Sequence, residues 1–280
     1  MSSPAPAHAD APPPPPTPLP PSAHPDDNKA HLLLCASGSV ATIKLPQILH
    51  ALSAYPRLSI RLILTPSATR FLAGQSAEQP LLSTLAALPH VAGVHLDAHE
   101  WAPPWTRGAG VLHIELRRWA HLMVVAPLGA NSLAKLCAGL CDNLLLSTMR
   151  AWDTTGELDA ARAPQLGGGG GDGGGATVAD GTEAPPPAGR RARPKTIALA
   201  PAMNTAMWRH PATRRQMRLL EGEWNVAHGG WIEVLRPVEK ELACGDTGDG
   251  AMRDWRDVVA LVVARLALRE GGEGEAEAEG

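Results

Sequence analysis

Four times in this chain a short apolar run ends in a small polar cluster or a proline and passes into a helical pattern, and this repeat restricts the fold more than any other feature. The runs are His31–Ala36, Ser59–Thr65, His121–Ala126 and Lys195–Ala200. Short apolar strands alternating with amphipathic helices predict parallel βαβ units, and such units cross over in the right-handed sense. The expected fold class is α/β: a doubly wound parallel sheet with helices on both faces. A further extended segment is expected over Val226 and Trp231–Leu235, and a closing helix over Trp255–Leu268.

The polar clusters carry the first functional signal. Ser37-Gly38-Ser39, Thr65-Pro66-Ser67 and Ala130-Asn131-Ser132 follow the first three runs. In an open α/β sheet such segments converge on one edge, outside the carboxyl ends of the strands, where ligands bind. Hydroxyls and free amides at helix starts suit a phosphate monoester. Each serine or asparagine alone is equally accounted for as a helix cap; three on one edge favour a phosphorylated ligand. A Gly-x-Gly-x-x-Gly fingerprint is absent because Gly38 stands alone, which argues against a dinucleotide.

The fourth run leads into Pro201-Ala202-Met203-Asn204-Thr205-Ala206-Met207-Trp208. Further on stands Ala243-Cys244-Gly245-Asp246-Thr247-Gly248-Asp249-Gly250-Ala251-Met252, and upstream His113-Ile114-Glu115-Leu116-Arg117-Arg118-Trp119. These strings place an amide, a thiol and an imidazole on three separate segments. At a helix start Asn204 can direct its carboxamide at a carboxylate or cap the helix. An imidazole exchanges protons near neutrality, which makes His113 a candidate base. Around Cys244 the glycines Gly245, Gly248 and Gly250 give the flexibility expected of a flap over substrate. Cys137 and Cys141 lie four apart in an apolar helix with no ligand set nearby, so core packing is expected and zinc is not.

Composition bounds the rest. Residues 1–28 contain eleven prolines and almost no large apolar side chains, and cannot bury enough surface to offset ordering entropy. Gly167 to Gly175 is glycine throughout except Asp172, with three prolines from Pro185, a composition that behaves as flexible coil. The expected organisation is a disordered tail over 1–29, one domain over 30–268 with an insertion near 160–194, and an acidic tail over 269–280. Net charge is −3 with no long basic run, which disfavours nucleic acid. No stretch of about 18 apolar residues exists, so no membrane span is expected. The proline-rich segment has no lysine or arginine before Lys29 and resembles neither a secretory signal nor a mitochondrial presequence. Cytoplasm, with the nucleus also open, is the expected compartment.

Together the three strings resemble the FMN-dependent cysteine decarboxylase family, phosphopantothenoylcysteine decarboxylase among its members, over most of residues 30–153 and 195–265. The resemblance implies a flavodoxin-like sheet and FMN as cofactor. It implies flavin contacts at Ser39, Val40, Ala41, Thr65, Ser67, Gly129, Ala130, Asn131, Ser132 and Ala151. Asp142-Asn143 and Arg150-Ala151-Trp152-Asp153 also match, on the flavin side. Substrate would meet Ala202, Met203, Asn204, Met207, Gly245 and Asp246, with Asn204 holding the carboxylate, His113 as base and Cys244 as the acid for the final protonation. The implied reaction decarboxylates phosphopantothenoylcysteine through a thioaldehyde and an enethiolate, giving phosphopantetheine for coenzyme A. Three departures stand out: Gly129 where the family often has serine, Pro66 where it has lysine, and His121 where aspartate is common. The resemblance also implies a homotrimer, or a heterotrimer with paralogues, with the flavin at a subunit boundary. Fungal relatives with low-complexity termini include halotolerance proteins that inhibit type 1-like protein phosphatases, and other relatives decarboxylate peptidyl cysteine; both remain alternative readings.

Overall fold

Strand β1 (Ala30–Ala36) is buried along its whole length, and the rest of the molecule is laid around it. In a computed structural model that describes residues 27–102, 104–158, 194–241 and 247–271, the chain continues through α1 (Leu45–Leu52), β2 (Leu58–Leu64), α2 (Pro66–Thr69), α3 (Leu82–Ala86) and β3 (Val91–Leu96). Then come α4 (Leu112–Trp119), β4 (Leu122–Leu128), α5 (Ala130–Ala138), α6 (Leu144–Arg150) and β5 (Ile197–Pro201). It closes with α7 (Thr205–Arg209), α8 (Pro211–Glu221), β6 (Ile232–Val234), β7 (Val238–Glu241), β8 (Thr247–Ala251) and α9 (Trp255–Leu266). The expected N-terminal tail and the insertion lie almost wholly outside the described residues, as does most of the acidic tail.

Six strands form one sheet in the order β3-β2-β1-β4-β5-β6, and every pair in it is parallel. The doubly wound reading holds. The side-chain period of two splits each central strand between two cores. Leu32, Leu34, Val124 and Ala198 face α1 and α9, meeting Ile48, Leu52, Val258 and Val262. Leu33, Cys35, Met123, Val125 and Leu199 face the other way, onto Leu116, Leu133, Leu145 and Leu220 of α4, α5, α6 and α8. Each fully buried leucine contributes about 1.5–3 kcal/mol of transfer free energy. Strand order reverses between β1 and β4, so their crossovers leave on opposite faces and a crevice opens at their carboxyl ends.

Three details differ from expectation. Val226 lies in a 3-10 turn, Val226–His228, because Asn225 caps it through Ala227 N at 2.8 Å; only Ile232–Val234 is strand. Cys141 is exposed rather than packed: Gly139 takes the left-handed conformation at φ 73° and ends α5 before it. Cys137 does pack against the core, and burial pushes its thiol up to about 11. β3 was not foreseen, since Gly93 and His95 interrupt its apolar pattern. The His121 departure is structural: its Nδ1 accepts from His31 N at 3.0 Å and its ring stacks on His31 at 4.9 Å.

His95 on β3 is fully buried with Arg61 Nη1 at 3.2 Å. Burial first, then the charges of Arg61 and His99, lower it from 6.5 to about 3. As pH falls, the unfolded chain takes up this proton before the folded one, so stability is lost from about pH 6.5 down through about pH 3. Urea midpoints should therefore decline across this window, and His95→Gln should flatten the decline; an unchanged slope would remove His95 from the account.

Candidate active site

The crevice between β1 and β4 is closed at its base by backbone contact. Ser37 Oγ donates to Pro127 O at 3.3 Å and accepts from Gly129 N at 2.8 Å, tying the two loops together. Thr42 Oγ1 donates to Ser37 O at 3.2 Å from the turn that follows. A Cβ on Gly38 would lie 2.6 Å from Ser67 Cβ, and one on Gly129 would lie 2.5 Å from Gly38 O. The loops after β1, β2 and β4 thus meet at two positions that admit no side chain. The absence of serine at Gly129 has its physical reason here, and the amide that remains is held by Ser37. At Pro66 the residue opens α2 behind its cap Thr65, a position where proline's fixed φ suits the helix.

Several of the expected ligand groups are caps. Ser39 Oγ accepts from Ala41 N at 3.4 Å, Thr65 Oγ1 from Ala68 N at 3.3 Å, and Asn204 Oδ1 from Ala206 N at 2.8 Å. For Asn204 the cap leaves the expected binding role open. Capping occupies the carbonyl oxygen and leaves the amide hydrogens, which make no hydrogen bond among the described residues, as donors. These are the atoms a carboxylate needs.

The hairpin β7–β8 is antiparallel and is docked on the Asn204 segment. Met203 N donates to Gly250 O at 2.9 Å. A Cβ on Gly250 would fall 2.2 Å from Met203 O, and one on Gly248 only 1.7 Å from Thr205 Oγ1. These two glycines therefore serve close approach, whereas flap flexibility was expected of them. Cys244, Gly245 and Asp246 lie outside the described residues. Arg209 Nε adds an exposed ion pair to Asp249 at 3.1 Å.

A cavity of about 690 Å³ opens where these parts meet, lined by Gly38, Ser39, Val40, Ala41, Ala202, Met203 and Asn204 of the expected residues. Lys44, Phe71, Arg253 and Trp255 also line it and were not foreseen, since only the folded path of β8 into α9 brings the last two here. Thr65, Ser67, Gly129, Ala130, Asn131 and Ser132 stand on the adjoining loops at the same sheet edge but do not line this cavity, and exposed Met207 also lies off it. Neither do His113 and Ala151. His113, in the first turn of α4, has Nδ1 2.7 Å from Glu100 Oε1, and Ala151 O accepts from Arg117 Nη1 of the same helix at 3.3 Å. One chain thus carries two separate groups of site residues: the cavity group, and the group on α4 and α6. The other motif residues near α6 have structural work: Asn143 caps α6 through Leu146 N at 2.9 Å, and fully buried Asp153 accepts from Gly156 N at 2.9 Å and Leu158 N at 3.0 Å. Among the described residues no cluster able to hold a metal ion occurs, and no helix is long and apolar enough to cross a membrane.

A parallel sheet with an apolar cleft at its switch point and capped loops around it is the architecture of a nucleotide- or flavin-binding protein. Residues 21–161 and 187–267 match the family model described as Flavoprotein, and the chain belongs to that family. Phosphopantothenoylcysteine decarboxylase of Mus musculus is 35% identical over 248 residues, 88% of this chain and 93% of that protein. A probable thymidylate synthase of Schizosaccharomyces pombe is also 35% identical, over 244 residues and 87% of this chain, but the chain spans only 30% of its length. Among solved structures, a phosphopantothenoylcysteine decarboxylase cysteine-to-serine mutant complexed with pantothenoylaminoethenethiol has a TM-score of 0.59 and 33% identity, covering 84% of this chain and 97% of that one. The FMN binding protein AtHal3 has a TM-score of 0.56 and 33% identity, covering 84% and 96%.

The contact between β8 and Met203 yields a direct test. Gly250→Ala forces a methyl group against a backbone oxygen, and overpacking of this kind costs about 1–3 kcal/mol. Amide exchange at Met203, whose proton is held by Gly250 O, should accelerate about ten-fold or more, while amides of β1 and β4 stay protected. Unchanged protection at Met203 would mean that the hairpin is not docked as described.

Proposed function

We propose that this protein is an FMN-dependent phosphopantothenoylcysteine decarboxylase that supplies phosphopantetheine for coenzyme A. The observation that carries the reading is Asn204: it lines a mostly apolar cavity at the switch point, with its carbonyl oxygen spent on a helix cap and its amide donors without a hydrogen bond among the described residues. The similarity to decarboxylases over most of the chain's length supports the same substrate class.

The residues fit FMN. Gly38 lets the loop after β1 lie against the Ser67 side chain, and Gly129 lets the loop after β4 lie against the Gly38 carbonyl; Ser39, Val40 and Ala41 line the cavity beside them. These residues, with the loop 129–132, would hold the cofactor. When bound, FMN supplies the reversible two-electron chemistry that lets a cysteine-like acid lose CO2 without leaving an unstabilised carbanion. The chain's own groups bind, orient and move protons. Asn204 donates to the substrate carboxylate and, being neutral, does not pin that carboxylate with a full charge. Ala202 and Met203 wall the pocket. His113 accepts the thiol proton, and Cys244 returns a proton to carbon at the end; a thiol of ordinary pKa about 8.5 is acidic enough for that step where a serine hydroxyl is not.

The purified protein should be yellow and release CO2 from phosphopantothenoylcysteine without added oxidant. Cys244→Ser should release a single equivalent of CO2 anaerobically and then stall with the enethiol retained, whereas Asn204→Ala should release none. Normal turnover by Cys244→Ser would make that cysteine a packing residue and assign the acid to another group.

His113 and Ala151 stand apart from the cavity of their own chain, and this supports a homotrimer in which one subunit's α4 completes a neighbour's site. Mixing inactive His113→Ala and Asn204→Ala chains under conditions of subunit exchange should restore part of the activity. A fully active monomer in sedimentation would refute the arrangement.

A further inference from the structure

The carboxylate of Glu100, against His113, has no task in the reaction as described. It sits at the end of the turn after β3, and that turn is held from several sides. Glu100 N donates to Asp97 O at 3.1 Å, Leu96 N donates to buried His99 Nδ1 at 3.2 Å, and Asp97 Oδ1 accepts from Leu144 N of α6 at 2.6 Å. The side chain that results is only 4% exposed, with Oε1 2.7 Å from Nδ1 of His113, itself 21% exposed. Its second oxygen, Oε2, is buried and has no hydrogen-bond partner among the described residues.

Burying a carboxylate with one oxygen unpaired is unfavourable. A contact whose only purpose was to join the turn to α4 would be made as well by an amide, without the charge. A carboxylate, in contrast, does one thing an amide does not: ionised, it has only acceptors, so the ring nitrogen facing it must carry hydrogen. A neutral imidazole has one N–H. With that hydrogen on Nδ1, the lone pair is on Nε2.

We infer that Glu100 is a positioning residue for His113, locking the imidazole in the Nδ1–H tautomer so that Nε2 faces the substrate as the proton acceptor. The inference rests on His113 acting as the base. In the step it serves, the thiol S–H bond breaks, the proton passes to Nε2, and the electron pair stays on sulfur as thiolate. The imidazolium then donates from both nitrogens, and the Glu100 carboxylate lies against its Nδ1–H. The stiffness of the turn matters as much as the charge, because a carboxylate on a mobile segment would fix neither the tautomer nor the ring plane.

The test needs no variant to begin. Nitrogen-15 NMR of the full-length protein labelled at histidine, with His113 assigned by its absence in His113→Ala, reads the tautomer directly. The inference expects hydrogen on Nδ1, and a dominant Nε2–H tautomer overturns it. In Glu100→Gln, which keeps the shape, hydrogen should appear on Nε2. The kcat for phosphopantothenoylcysteine should fall about a hundred-fold, within the range that a general base contributes, with KM nearly unchanged. If Glu100→Gln alters neither tautomer nor kcat while His113→Ala is inactive, Glu100 is a structural link only, and the reading of His113 as base survives. If His113→Ala turns over normally, the base reading fails and this inference fails with it.

Discussion

The candidate site depends on segments that approach more closely than a side chain between them would allow. At the carboxyl end of the sheet, the loops after β1, β2 and β4 touch at Gly38 and Gly129, and Ser37 bridges two of them with one hydroxyl that donates to Pro127 O and accepts from Gly129 N. Some distance along the chain, Gly250 and Gly248 let a hairpin lie flat on Met203 and Thr205. A methyl group at any of these four positions would wedge apart the segments that meet there. The glycines are thus the means by which separate segments approach closely, and the polar residues beside them cap the helices that follow.

Part of this arrangement was readable in advance. Short apolar runs forecast β1, β2, β4 and β5 because strands buried on both faces need continuous hydrophobicity. Asn204 was legible as a helix cap, the place the structure gives it. β3 was not legible: it is a half-buried strand at the sheet edge, and its buried His95 pairs with Arg61 in a way that no local pattern announces. The pairing of β7 with β8 was hidden for a similar reason, since their glycines read as flexibility when only tertiary contact gives them a purpose. The separation of His113 from the cavity depends on which face α4 occupies, which spacing along the chain does not reveal.

The two faces of the sheet divide the work. One face, with α1 and α9, supplies a core and the loop that lines the cavity. The other packs α4, α5, α6 and α8 and carries His113 with its supporting turn. Asp97 joins that turn to α6 through Leu144 N, so the placement of an imidazole is set by the start of a helix remote from it in sequence.

Gly129 bears on how these loops can change. The space for a side chain there is filled by the carbonyl of Gly38 at 2.5 Å. Placing serine there alone would meet a barrier created by the neighbouring loop, so the two loops can only change in a particular order. The loop after β1 must first withdraw. What one loop tolerates is thereby set by the backbone of another, and a substitution at Gly129 is conditional on a change elsewhere.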